Sequence, residues 1–107
     1  MADEVFFVLS TFPDAATARR IGRQLVEDKC AACANLLSAV ESIYWWEQKV
    51  ENASETIVLF KTTPERYEAL ETTLRQLHPY ELPEIIAFRV EQGLPGYLRW
   101  VSENCAG

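Results

Sequence analysis

This chain of 107 residues is poor in the residue types that build most metal sites and most nucleic-acid-binding surfaces. It has one histidine, one methionine and three cysteines, and its 10 basic residues face 16 acidic residues. The net charge of −6 disfavours a nucleic acid or an anionic membrane as the main partner, because both present negative phosphate groups. A single imidazole also lacks the companions that a firm copper or zinc site requires.

Long hydrophobic runs are scarce as well. A strictly apolar run such as residues 5–9 is far shorter than the roughly 18 residues that a membrane-spanning helix needs. The chain does not start with a basic segment followed by a hydrophobic stretch, which would mark a secretory signal. We therefore expect no membrane partner and a cytoplasmic location.

The three cysteines, Cys30, Cys33 and Cys105, are an odd set, which fits a reducing compartment better than a disulfide framework. Cys30 and Cys33 form a CxxC motif, but they follow a predicted helix instead of starting one, so no helix dipole activates them. Two partly buried thiols are the favoured interpretation, and a redox or zinc role is the alternative. We expect Cys33 to be buried and unreactive, and Cys105 to react readily.

Two segments of the sequence agree in kind at nearly every position. Residues 4–14 read EVFFVLSTFPD and residues 55–65 read ETIVLFKTTPE. Each is an apolar run that ends in a proline followed by an acid, and Asp14 or Glu65 would lie in the first turn of a helix. The repeat therefore predicts two strands that each lead into a helix.

Further strands are predicted over residues 32–46, 50–61 and 85–90, and a short last helix over residues 97–103. The order β-α-β, β-α-β predicts an α+β fold, the ferredoxin-like sandwich, in a single domain over residues 1–107. Such a sandwich has a four-stranded antiparallel sheet with both helices on one face. The two middle strands are longer than usual and the sheet is apolar on both faces, so we expect strand pairing and face burial between subunits.

Three motifs in order resemble the CutA divalent-cation-tolerance family: AACANLLSAVESIYWWEQKVE over residues 31–51, FKTTPE over residues 60–65, and HPYELPEI over residues 78–85. The similarity extends from the first strand to YLRWV near the C-terminus. It implies a homotrimer of ferredoxin-like subunits that resembles the PII signalling proteins in overall assembly.

The resemblance also implies a ligand cleft at a subunit boundary, built by residues from separate parts of the chain. The implied cleft residues are Cys33, Asn35, Tyr44, Trp46, Glu47, Lys61, Tyr80 and Glu84. In the family the turn after Trp46 and Glu47 usually has glycine, where this chain has Gln48, which would be strained at positive φ.

The resemblance further implies copper or another divalent cation as a cofactor, bound by a cysteine near the end of the first strand and by histidines at the HP motif. This chain has Ser10 and Leu77 at two of those positions, which leaves His78 as the metal ligand and Glu84 as a possible oxygen donor. We therefore expect weak metal binding. The alternative for His78 is a residue at the end of a helix, whose imidazole interacts with the last carbonyl groups before Pro79.

The family's function implies a non-enzymatic trimer that acts in divalent metal (copper) tolerance or homeostasis, or in sensing a small ligand at intersubunit clefts. The alternative is a small-molecule enzyme that uses Lys61, Glu47 and Glu84 as an acid–base cluster. The sequence shows no activated nucleophile beside these three residues, which favours the non-enzymatic interpretation.

Overall fold

The computed structural model describes residues 3–106 and confirms the predicted α+β architecture. The sheet has the strand order β2-β3-β1-β4, and all neighbouring strands are antiparallel. No helix within this range is long and apolar enough to cross a membrane. In chain order the elements are β1 (Phe6–Phe12), α1 (Ala15–Glu27), β2 (Cys33–Trp46), β3 (Lys49–Thr62), α2 (Pro64–Leu77), β4 (Ile85–Arg89) and α3 (Pro95–Cys105).

The two repeated segments start their helices in different ways. Asp14 is the N-cap of α1, and its carboxylate accepts a hydrogen bond of 2.7 Å from the backbone N–H of Thr17. This bond is the main reason why the pKa of Asp14 is lowered. In α2 the N-cap is Thr63, and Glu65 lies in the first turn. The prediction for Glu65 is thus confirmed, whereas Asp14 lies one position before the helix that it caps.

One face of the sheet carries the main hydrophobic core, under α1 and α2. The residues of β1 and β3 alternate between buried and partly exposed, as expected for strands covered on one side. The fully buried side chains of this core include Val8 and Phe12 of β1, Val58 and Phe60 of β3, Ile21 and Leu25 of α1, and Leu70 and Leu74 of α2.

The opposite face of the sheet, called here the open face, is only partly covered. Leu9, Leu59 and Ile86 are cross-strand neighbours on it, and Ile86 is 44% exposed. At one end, α3 packs through Val101 and Cys105 against a small second cluster. Helix α3 therefore covers part of the face that the sequence predicts to be bare. It runs from Pro95 to Cys105, so it is longer than the predicted helix over residues 97–103.

The hairpin of β2 and β3 projects beyond the sheet. Strand β1 pairs with β3 only over residues 56–62, so β2 and β3 continue alone from Val40 and Glu55 to the turn. We call this two-stranded part the ribbon, and it contributes to a longest molecular dimension of 47 Å. A β-bulge at Ala39, with φ of 59°, separates it from the sheet. A ribbon of two strands is marginally stable alone, which favours contacts with another chain.

The turn at the tip of the ribbon holds two non-glycine residues in the left-handed region. Glu47 has φ of 48° and Gln48 has φ of 67°. Two successive residues at positive φ are characteristic of the tight hairpin turn that suits twisted strands. The expected strain at Gln48 is therefore present.

We predict that Gln48→Gly raises the free energy of unfolding by about 0.5–1 kcal/mol, because glycine adopts positive φ without a Cβ clash. Chemical denaturation at one fixed protein concentration measures the change. Glu51→Gly is the control, since Glu51 lies in the same ribbon outside the positive-φ positions and glycine there should destabilise. Equal destabilisation by both substitutions would contradict the strain argument.

Candidate functional site

An acidic cleft of about 670 Å³ lies between the ribbon and the loop that follows α2. It contains four of the predicted ligand-cleft residues, Tyr44, Trp46, Tyr80 and Glu84. Sequence reasoning missed two further carboxylates in it, Glu55 and Glu81. The remaining lining residues are Thr11, Ser42, Ile43, Pro79 and Leu82.

His78 positions the loop at the base of this cleft. Its ring stacks on Phe12 with 4.5 Å between centroids, and its Nε2 lies 2.8 Å from the carbonyl oxygen of Thr11. Its Nδ1 accepts a hydrogen bond of 3.1 Å from the backbone N–H of Tyr80. A carbonyl only accepts and a backbone N–H only donates, so the imidazole is neutral with its proton on Nε2.

The predicted contact of the His78 ring with the last carbonyl groups of its helix is therefore wrong. His78 is the C-cap of α2, but only its backbone N–H bonds to the helix, at Leu74. The ring reaches across to β1 instead, because burial beside Phe12 and a bond to Thr11 satisfy it there. This contact connects the corner at His78 and Pro79 to β1.

Metal binding at His78 with Glu84 stays a prediction, and the geometry of this chain does not favour it. Both ring nitrogens already have partners, so a metal ion would have to displace one of them. Within residues 3–106, no three His, Cys, Asp or Glu side chains are close enough to hold a metal ion. Ser10, at the position of the missing sulfur donor, is fully buried.

Tyr80 and Glu55 connect the loop to the ribbon. The Tyr80 hydroxyl donates to the Glu55 carboxylate at 2.5 Å. Burial, followed by this hydrogen bond and the charge of Glu55, raises the pKa of Tyr80. With Glu81 and Glu84 the cleft has three carboxyl groups, and its lining includes no Lys, Arg or His. The electrostatic field of the cleft therefore favours a positively charged ligand.

The other predicted cleft residues lie elsewhere. Cys33 and Lys61 are cross-strand partners near the opposite end of β2, and Asn35 is next to them on the open face. At 3.3 Å per residue, the eleven residues from Cys33 to Tyr44 span about 35 Å. Within one chain the predicted ligand-cleft residues thus form two separate groups. Glu47 lies in the turn of the ribbon and belongs to neither group.

The same separation argues against the predicted acid–base cluster. Glu47 lies at the tip of the ribbon, Lys61 lies at the far end of β3, and Glu84 precedes β4. Because thirteen residues of the extended hairpin lie between Glu47 and Lys61, the two side chains cannot share one small substrate within a chain.

The prediction for Cys105 is wrong and that for Cys33 is only partly met. Cys105 is 1% exposed, because α3 turns it onto Val5 and Thr62, and burial raises the pKa of its thiol. Cys33 is partly exposed, and its Sγ accepts a hydrogen bond of 3.6 Å from Nζ of Lys61. All three cysteines are free thiols, and Cys30 is buried in the main core as expected for a structural thiol.

We predict that Ser10→Ala raises the free energy of unfolding by about 1 kcal/mol, because the buried Ser10 hydroxyl has no hydrogen-bond partner among the described residues. Thr62→Val is the contrast, since the Thr62 hydroxyl donates to the carbonyl of Cys30 at 2.6 Å and its loss should destabilise. Thermal unfolding of both variants tests this. A loss of stability in Ser10→Ala as large as that in Thr62→Val would indicate a hidden partner.

We predict that His78 makes stability depend on pH in mildly acidic solution. Burial lowers the pKa of the folded His78 imidazole from its ordinary value of 6.5, and the hydrogen bond to Thr11 and the charge of Glu55 offset part of this effect. Between the folded and the unfolded pKa the unfolded chain binds more protons. The free energy of unfolding therefore decreases as the pH falls from about 6.5 through the folded pKa.

Denaturation curves at pH values from 7.5 to about 5.5 measure this loss, because most carboxylates titrate at lower pH. His78→Gln, which cannot titrate, should be flatter over the same range. Identical slopes for the two proteins would show that another group is responsible.

Comparison with known proteins places this geometry in a family. The model of the CutA1 divalent ion tolerance protein matches residues 6–104. Protein CutA of Mus musculus is 44% identical over 93 residues, which are 87% of this chain and 52% of the mouse protein, so the chain spans about half the length of that relative.

Two solved structures show the same fold at full length. The structure of CutA from Xylella fastidiosa is 42% identical with a TM-score of 0.92, over 94% of this chain and 97% of that one. The structure of the periplasmic divalent cation tolerance protein CutA from Archaeoglobus fulgidus is 35% identical with a TM-score of 0.91, over 94% and 98%. This chain therefore belongs to the CutA1 divalent ion tolerance family.

Proposed function

We propose that this protein contributes to divalent metal tolerance by binding a cation in its acidic cleft, without catalysing a reaction. The observation that carries the proposal is the charge of the cleft: Glu55, Glu81 and Glu84 line it, and no basic side chain does. Carboxylate and hydroxyl oxygens bind divalent cations, and a site of one charge sign concentrates the opposite ion.

Copper is one candidate cation, and its binding would be weak. The lining offers oxygen donors and no sulfur, while the His78 imidazole is engaged with Thr11 and Tyr80. Oxygen donors alone discriminate poorly among borderline metals. Since the three carboxylates do not converge on one point in a single chain, donors from a second subunit would complete the coordination shell.

A small organic ligand that carries a positive charge is the second candidate for the same cleft. Tyr44, Trp46 and Tyr80 supply aromatic surface beside the carboxylates, and the volume of about 670 Å³ lies within the usual range of ligand sites. Sensing of such a ligand and metal binding therefore use the same residues. The separation of Lys61, Glu47 and Glu84 supports binding over catalysis.

We further propose a homotrimer, in which neighbouring subunits cover the ribbon and the exposed apolar part of the open face around Ile86 and Phe88, which α3 leaves bare. The number three rests on the family resemblance, and the need for a partner rests on exposed apolar area. Among the described residues of β2, β3, the loop after α2 and β4, nine large hydrophobic side chains are more than 40% exposed: Leu37, Ile43, Tyr44, Trp45, Trp46, Val50, Leu82, Ile86 and Phe88.

We infer a cytoplasmic location from the three free thiols, which suit a reducing compartment. The similar protein from Archaeoglobus fulgidus is described as periplasmic, so family members differ in this respect or tolerate both compartments. Fractionation of cells that express the untagged protein would decide the question.

Native mass spectrometry of protein purified without a chelator or a tag tests the assembly and the ligand together. We expect a species of three chains that retains a small ligand or takes up added Cu²⁺ or Zn²⁺ at micromolar or weaker affinity. A stable monomer at micromolar concentration would contradict the trimer. A trimer that binds none of these ions and retains no ligand would contradict the binding function.

Titration of variants locates the site. Glu84→Gln should weaken cation binding by about tenfold, because it removes one of three charges from the cleft. Glu68→Gln makes the same charge change on the exposed side of α2 and should leave affinity unchanged. His78→Ala separates the two possible donor types, since a complete loss in that variant with no effect of Glu84→Gln would assign the metal to the imidazole instead.

A further inference from the structure

The strongest observation outside the acidic cleft is a buried lysine without a carboxylate partner. Lys61 is 6% exposed, and the ion pairs of the described chain join other residues, Arg23 to Glu27 and Arg89 to Glu4. The described contacts of its ammonium group are with Sγ of Cys33 at 3.6 Å and with the ring of Phe7 at 5.3 Å from its centroid. A buried charge is normally paired, and of the described contacts of Lys61 the Cys33 sulfur is the one that could carry a negative charge.

Sheet geometry holds this pair together. Cys33 is the Cα partner of Lys61, and Lys61 is the Cα partner of Phe7 on the next strand. The three side chains therefore form one row across the open face. Cys30, three residues earlier, is buried in the core on the other side of the sheet. Because their side chains lie on opposite sides of the sheet, Cys30 and Cys33 do not form one CxxC site. The side chain that influences the Cys33 thiol is Lys61.

Two other features surround the same sulfur. The pKa of the Tyr97 hydroxyl is raised by burial and further by the charge and hydrogen bonding of Cys33, which places α3 beside the thiol. A cleft of about 550 Å³, separate from the acidic cleft, is lined by Cys33, by Arg19, Arg23 and Glu27 of α1, and by Trp100 of α3. The thiol therefore borders a concave surface, and Lys61 is the cation in direct contact with its sulfur, the kind of neighbour that activates a cysteine.

We propose that Cys33 is a nucleophilic thiol, activated by Lys61, that hydrogen peroxide oxidises to a sulfenic acid. The Cys33 thiolate sulfur attacks one peroxide oxygen, so that a sulfur–oxygen bond forms and the oxygen–oxygen bond breaks. Sulfur is oxidised by two electrons and the peroxide is reduced. The leaving hydroxide takes a proton from the Lys61 ammonium to give water, and Lys61 regains a proton from solvent.

The two other thiols lack these features and serve as internal controls. Cys30 is 4% exposed in the core, and Cys105 lies under α3 with its Sγ against the Thr62 hydroxyl. Neither has a lysine contact among the described side chains. The order of reactivity expected from the sequence is therefore reversed, with Cys33 the most reactive of the three.

The test treats the intact, assembled protein with hydrogen peroxide and dimedone, a carbon nucleophile that traps sulfenic acids, and quantifies each cysteine by peptide mass spectrometry. We expect Cys33 to be trapped at least about tenfold faster than Cys30 or Cys105. Lys61→Met should slow trapping at Cys33 by about tenfold, whereas Lys61→Arg should retain most of the rate because it keeps the charge.

Lys49→Met, which removes an exposed lysine from the far end of the same strand, should leave the rate unchanged. Tyr97→Phe provides a second probe if Lys61→Met fails to fold, and removal of the polar hydroxyl from beside the thiol should slow trapping several-fold. Trapping at Cys33 no faster than at the two buried thiols, or equal rates in wild type, Lys61→Met and Tyr97→Phe, would overturn the proposal. Because the acidic cleft contains neither Cys33 nor Lys61, this result is independent of cation binding.

Discussion

The pairing register of β3 is the constraint on which the rest of the structure depends. This strand pairs with β1 on one side and with β2 on the other. A shift by one residue would exchange the buried Phe60 with Lys61 and bring every apolar side chain of β3 to the wrong face. The register thus brings the apolar side chains of β3 into the core. It also places Lys61 beside Cys33, and it places Glu55 at the start of the ribbon.

The contacts of His78 depend on the same register. Its ring contacts the carbonyl of Thr11 on β1, which the register places beside β3, and its Nδ1 accepts a hydrogen bond from the backbone N–H of Tyr80. Tyr80 in turn meets Glu55 on β3. One neutral imidazole therefore links β1 to the loop after α2, and Tyr80 of that loop contacts Glu55 of β3, which gives the single histidine a structural role at the cleft.

Much of the fold was predictable because local signals and the overall topology agree. The repeated strand–proline–helix pattern placed β1, α1, β3 and α2 in the correct order along the chain. The site was harder to predict, since Glu55 reaches the cleft only through the sheet register and the loop. Glu81 lies inside the HPYELPEI motif and could have been included. The burial of Cys105 depends on how α3 docks, which periodicity alone does not reveal.

The two polar regions of the subunit differ in charge and are far apart. The acidic cleft at the ribbon has three carboxylates, whereas the opposite end of β2 has Lys61 in contact with the Cys33 thiol and a second cleft lined by Arg19, Arg23 and Glu27. About 35 Å of strand separates them, several times the Debye length of about 8 Å at physiological salt, so neither region neutralises the other. The proposed cation site and the proposed reactive thiol therefore lie at opposite ends of the hairpin, where the charge of one has little effect on the other. The length of the hairpin is what would allow both to act on one short chain.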